Sequence, residues 1–152
     1  MTIRHPVGDG GSHRKNLYRR CIAQYNEALG HEFYVEAVAI VESLISDRLE
    51  SRLACKHNDS EAKRKFSTVG KLATELKGKK ANEADEAREL YSEIVLWSVN
   101  RNNVIHQLVK LADGEVPDWD ARYREARKTA ESGMTLFRRV DRLVSKLNRS
   151  QR

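Results

Sequence analysis

At 152 residues, of which 39% are hydrophobic, the chain has the size of one ordinary domain, and no stretch approaches the ~18 apolar residues of a membrane span. The opening MTIRHPVGDGGSH lacks the apolar core of a secretory signal, and two cysteines, Cys21 and Cys55, exclude a disulfide scaffold, so a cytoplasmic protein is expected. The net charge of +6 is uneven: residues 60–80 hold seven Lys and Arg against two Glu, and residues 119–152 hold ten against four acids, a distribution that either steers a polyanion or forms a solvated surface.

Residues 1–12, with three glycines, read as a flexible leader. Ser12 then caps a helix over about 13–29, with Leu17, Cys21, Tyr25 and Ala28 or Leu29 recurring at helical spacing, and Gly30 ends it in a left-handed conformation. A longer helix follows from His31 or Glu32 to about His57. Its apolar face is broad, because Tyr34, Val38, Val41, Ile45 and Leu49 form one stripe and Phe33, Ala37, Ile40 and Leu44 form its neighbour. After a break at Asn58, Asp59 and Ser60, with Ser60 a candidate cap, a weak helix over about 63–76 carries Phe66, Val69, Leu72 and Leu76. Asn82 with Asp85 resembles a capping pair for a helix from Glu83 to about Ala112, which Gly114 and Pro117 stop. Asp118 caps the last helix, whose stripe runs from Tyr123 through Gly133, placed for close helix approach, to Leu147; residues 148–152 read as a flexible basic tail. The pattern predicts one domain over 13–147, an all-α antiparallel bundle of four long helices plus a short or weak one. No dinucleotide-binding glycine loop, Walker loop, HExxH or zinc-ligand spacing is present, and no cofactor or metal is expected.

The segment Trp97-Ser98-Val99-Asn100-Arg101-Asn102-Asn103-Val104-Ile105-His106 is the most informative. On a wheel of about 100 degrees per residue, Leu90, Ile94, Trp97, Val104, Ile105 and Leu108 lie within about 60 degrees of Arg101. A guanidinium in that stripe must pair with a buried anion or open onto a cleft. His106 points about 140 degrees away, beside Val95, Val99 and Asn102, on a second narrow stripe suited to another helix or another subunit. Arg and His together suit metal-free RNA cleavage: a base removes the ribose 2'-hydroxyl proton, and a fixed cation stabilises the phosphorane. The same residues also suit a structural network in which Arg101 pairs with Glu42 or Asp47. Spacing alone is unspecific, since Arg52 and His57 repeat it at a helix end, where basic side chains favour the dipole.

A helical bundle with Arg-Asn-x-x-x-His late in the chain resembles the HEPN family, the higher eukaryote and prokaryote nucleotide-binding domain. Arg101, Asn102 and His106 match the family's motif position by position. The resemblance implies a metal-independent endoribonuclease, of the kind used as a toxin or in phage defence, that dimerises so that two motifs share one cleft. It also allows a non-catalytic RNA- or protein-binding module. In the subgroup whose antitoxin modifies a tyrosine two positions after the motif histidine, that tyrosine matters; here the position is Leu108, so that mode of inhibition is unsupported, while another antitoxin or defence-system partner stays open. Glu42 is a candidate to orient Arg101 or His106. Tyr91 and Lys110 bracket the cluster as candidate substrate contacts, against helix packing and a solvated lysine respectively. His5, His13, His31 and His57 have no ligand-like arrangement.

Overall fold

The computed structural model describes residues 9–57 and 67–151. The fold is an all-α bundle, with no strand among the described residues. Its helices are α1 (Asp9–Gly30), α2 (Tyr34–His57), the nine-residue α3 (Val69–Lys77), α4 (Asp85–Gln107) and α5 (Trp119–Gln151), with a 3-10 turn at Lys79–Ala81. No helix is long and apolar enough to cross a membrane among the described residues.

Helix α2 is the central element that its broad apolar face requires. Val38, Val41, Ile45 and Leu49 are fully enclosed, and α2 lies chiefly against α5, with α1 on another side. Ala130, Phe137, Val140 and Val144 of α5 and Tyr91, Ile94 and Trp97 of α4 complete the core. Two ion pairs set the register. Arg101 near the end of α4 meets Glu42 near the start of α2, whereas Glu83 just before α4 meets Arg52 near the end of α2. The two helices are therefore antiparallel. The expected Gly133 approach is present, because a Cβ there would lie 2.6 Å from Val41 Cγ1 and 2.7 Å from Trp97 Cζ2. Gly133→Val is expected to lose about 1–3 kcal/mol through overpacking where α2, α4 and α5 meet. Urea unfolding checks this, and an unchanged midpoint would mean that the three helices separate there without cost.

Helix boundaries differ from the sequence reading for identifiable reasons. Helix α1 begins at Asp9, so Ser12 lies inside it rather than capping it, and residues 9–12 are helical rather than a leader. Once the packed turns exist, each added residue gains a backbone hydrogen bond for little further ordering. Leu17 is 61% exposed, and Tyr18 takes the inward position instead, stacked edge-on against Phe137 and donating to Asp47. The left-handed residue after α1 is Glu32, φ 62°, not Gly30. The Phe33 amide donates to the Ala28 carbonyl at 2.8 Å and the Glu32 amide to the Leu29 carbonyl at 3.2 Å, a Schellman closure that determines where the positive φ falls.

Ser60, Phe66 and the start of the weak helix lie outside the described residues. Thr68 caps α3, its hydroxyl accepting from the Lys71 amide at 3.3 Å. Asn82 does not cap α4. It sits in the left-handed region at φ 50° and closes the preceding 3-10 turn, and Ala84 occupies the cap position without a side-chain bond. Helix α4 stops at Gln107, not Ala112, because Arg122 of α5 donates through Nη1 to the Gln107 carbonyl at 2.7 Å and the Leu108 carbonyl at 2.9 Å. A side chain thus satisfies carbonyls that would otherwise require another turn. Asp118 caps α5 as expected, its carboxylate accepting from the Ala121 amide at 3.0 Å. Residues 148–151 are helical, not a tail: buried Asn148 accepts from Arg52 at 3.1 Å, which anchors the helix to its last turn.

Candidate functional site

The late half of α4 places the motif residues where the core thins. Ile94 and Trp97 are buried, but Val104, Ile105 and Leu108 are only half-buried, so Arg101 is not enclosed by an apolar stripe. Its Nη2 lies 2.6 Å from Glu42 Oε2, and both side chains keep about a quarter of their surface, at 24% and 25%. Nη1 donates to Asn102 Oδ1 at 3.0 Å. The pairing of Arg101 with Glu42, common to the orienting and the structural-network expectations, is therefore present. Asp47 plays no part here; it pairs with Arg14 at 3.5 Å and accepts from Tyr18.

The Arg101 contact differs from the protein's buried ion pair, though Arg122 with Glu115 and Arg127 with Glu131 also meet through one nitrogen and Arg48 also has a shielded Nε without a hydrogen bond among the described residues. In the same protein Arg52 grips Glu83 with two parallel bonds, Nε to Oε2 at 3.2 Å and Nη2 to Oε1 at 2.6 Å. Arg101 instead meets its carboxylate through one nitrogen, while its Nε is shielded and has no hydrogen-bond partner among the described residues. Leaving such a donor unsatisfied costs about 1–3 kcal/mol, and an exposed ion pair returns no more than about 1 kcal/mol. The arrangement positions a guanidinium without consuming all its donors.

His106 is exposed, one and a half turns along α4, and shares no hydrogen bond with Arg101. One chain thus does not bring the two side chains together, in keeping with their angular divergence. Two to three turns before His106, α4 exposes apolar surface: Val99 is 51% and Leu96 67% exposed, and Val95 is half-buried. Asn102 is exposed and lies against Arg101, not His106.

Tyr91 is not a substrate contact. It is fully buried, its hydroxyl donating to Glu83 Oε2 at 2.8 Å, and burial together with the nearby Glu83 charge holds its phenol well above the ordinary range. The Arg52 side chain does not serve a helix dipole either. With Lys56, Tyr91, Asn148 and Gln151 it forms a buried network around Glu83. Burial alone would raise the Glu83 carboxyl, but the hydrogen bonds from Arg52, Lys56 and Tyr91 outweigh it and hold the group below its usual value. A signal for this network was present in the chain: Arg48 and Arg52 continue the Val41–Ile45 stripe at three and four residues.

A groove of about 750 Å³ runs between the second half of α4 and the first half of α5. Asn100, Asn103, Gln107 and Lys110 line it, whereas Arg101, Asn102 and His106 do not. Among the described residues no three His, Cys, Asp or Glu side chains cluster as metal ligands, and both cysteines are free thiols. The fold is a helical bundle in which Arg101 is tethered to Glu42 and His106 is exposed farther along the same helix. The chain matches no family model, no curated protein and no solved structure.

Proposed function

We propose that the protein is a metal-independent endoribonuclease of HEPN type, built as a homodimer whose cleft combines Arg101 and His106 of two copies. The observation that carries this reading is the one-sided tether of Arg101. Glu42 holds Nη2 and Asn102 holds Nη1, so each of those nitrogens keeps a second N–H for a phosphate oxygen. His106 is free in solvent to accept a proton, and the exposed Val99 and Leu96 two to three turns before it supply apolar area for a two-fold contact. In the reaction His106 removes the 2'-hydroxyl proton and the oxygen attacks the adjacent phosphorus. Arg101 then stabilises the phosphorane charge, the 5'-oxygen leaves with a proton taken from water, and the His106 imidazolium returns its proton to the solvent. The products are a 2',3'-cyclic phosphate end and a 5'-hydroxyl end.

A second reading, a non-catalytic RNA- or protein-binding module, is favoured by one specific observation: Glu42 neutralises Arg101, and among the described residues His106 does not meet it within one chain. Incubation of the purified protein with mixed structured RNAs in EDTA separates the two. The ribonuclease reading expects cleavage that persists in chelator and leaves cyclic phosphate ends. Strict magnesium dependence or 3'-hydroxyl ends defeats it, and binding without cleavage supports the module. A toxin or defence role, with its protein partner, would follow from the first result only.

A further inference from the structure

We propose that the groove between α4 and α5 is a base-recognition subsite that takes the base of one unpaired ribonucleotide. This rests on the ribonuclease reading for its place in the reaction, though not for its binding chemistry. Asn100, Asn103 and Gln107 recur at three and four residues, so their carboxamides form one row along the groove wall. All three side chains are exposed, and none makes a hydrogen bond within the described residues. Val104, Leu108 and Ala121 contribute apolar surface beneath that row.

A nucleobase has the same division, with flat apolar faces and an edge of adjacent donors and acceptors. Carboxamides pair with such edges in two-bond fashion, and unpaired RNA exposes them. The volume of about 750 Å³ lies within the ordinary range of small-ligand sites. The groove's Arg122 and Lys128 are paired with Glu115 and Glu125, whereas Lys110 has no ion-pair partner among the described residues and is available for a phosphate. The wall is preformed, because Arg122 ties the Gln107 and Leu108 carbonyls to Glu115, which it meets at 2.8 Å, and the Glu115 carboxylate also accepts from the Ala112 amide at 2.8 Å. Asn103 is one turn before His106, about 4.5 Å along the helix and about 60 degrees around it. A base seated on Asn103 therefore lies within one helical turn of the histidine. An extended peptide would also pair with carboxamides, but the chain's charge of +6 and the free Lys110 favour an anionic ligand.

The test titrates AMP, GMP, CMP and UMP separately into the intact protein and follows backbone amide resonances. One base is expected to move the groove amides at least about tenfold more tightly than the weakest. The double variant Asn103→Leu with Gln107→Leu is expected to lose that preference with an unchanged melting temperature, since both side chains are exposed and unpaired. Equal binding of all four nucleotides, shifts confined to amides elsewhere, or no binding at millimolar concentration would overturn the subsite. Capped tetra-alanine that moves the groove amides where the nucleotides do not would also overturn it, in favour of a peptide. His106→Ala is expected to keep nucleotide binding and lose cleavage. Selective binding by a wild-type protein that never cleaves RNA defeats the ribonuclease reading and leaves the subsite standing, whereas cleavage without groove binding does the reverse.

Discussion

Replacing Glu83 by leucine is expected to destabilise the fold by about 3–5 kcal/mol, a large share of the ~5–15 kcal/mol that holds a domain together. The Arg52 and Glu83 side chains are only 6% and 2% exposed, so removing the carboxylate strands a guanidinium away from water with the Lys56 ammonium close by. The Tyr91 hydroxyl loses its acceptor at the same time. The cost arises from isolating these groups, since a buried pair intact is worth little over an apolar replacement. Arg52→Met combined with Glu83→Leu is accordingly expected to lose less than Glu83→Leu alone. Urea unfolding of the three variants checks this, and a double variant worse than the single would refute it.

Acid should act on the same network. The Glu83 carboxyl is held below its usual 4.5 in the folded state, so its contribution is full above that value. It declines as pH falls through 4.5, where the unfolded chain takes up the proton first, and is gone below the lowered folded value. The wild type should therefore lose more stability between about pH 6 and pH 3 than Glu83→Leu does. Equal losses would place the acid sensitivity elsewhere.

The second large effect concerns cleavage. On the proposed ribonuclease reading, Arg101→Ala or His106→Ala is expected to reduce RNA cleavage by at least ~100-fold, the usual consequence of losing a charge-stabilising or proton-transferring group. Neither should unfold the protein, because His106 is exposed and the Arg101 pair is only partly buried. Arg101→Lys should fail to restore activity. An ammonium keeps the charge but not the planar fork that meets Glu42, Asn102 and a phosphate together. Both alanine variants should remain dimers, since the proposed contact rests on Val99 and Leu96. Val99→Asp should instead give monomers that do not cleave, through loss of the composite cleft. Sedimentation and cleavage on the same samples decide the point, and an active wild-type monomer would end the composite-site model.

Much of the architecture was legible from periodicity because long amphipathic helices announce their buried faces locally. The double stripe of α2, the Asp118 cap, the role of Gly133 and the all-helical class depend on spacings within one or two turns, and a residue's neighbours in sequence largely decide them. Glu42 as the partner of Arg101 was also within reach, since a cation among apolar residues requires an anion nearby. Other features depend on residues far apart in the chain. Arg122 ends α4 some fifteen residues upstream, and Arg52 recruits Glu83, Asn148 and Gln151 from two distant segments. The α4–α5 groove likewise exists only once the two helices have packed and the Arg122 clamp is closed. The amino-acid pattern by itself determined which faces seek the core and which residue types stand ready for phosphate and proton chemistry. Only the tertiary structure decided where helices stop, which charges are enclosed, and that Arg101 pairs with Glu42 rather than Asp47, because those outcomes require groups from several helices to meet at hydrogen-bond distance.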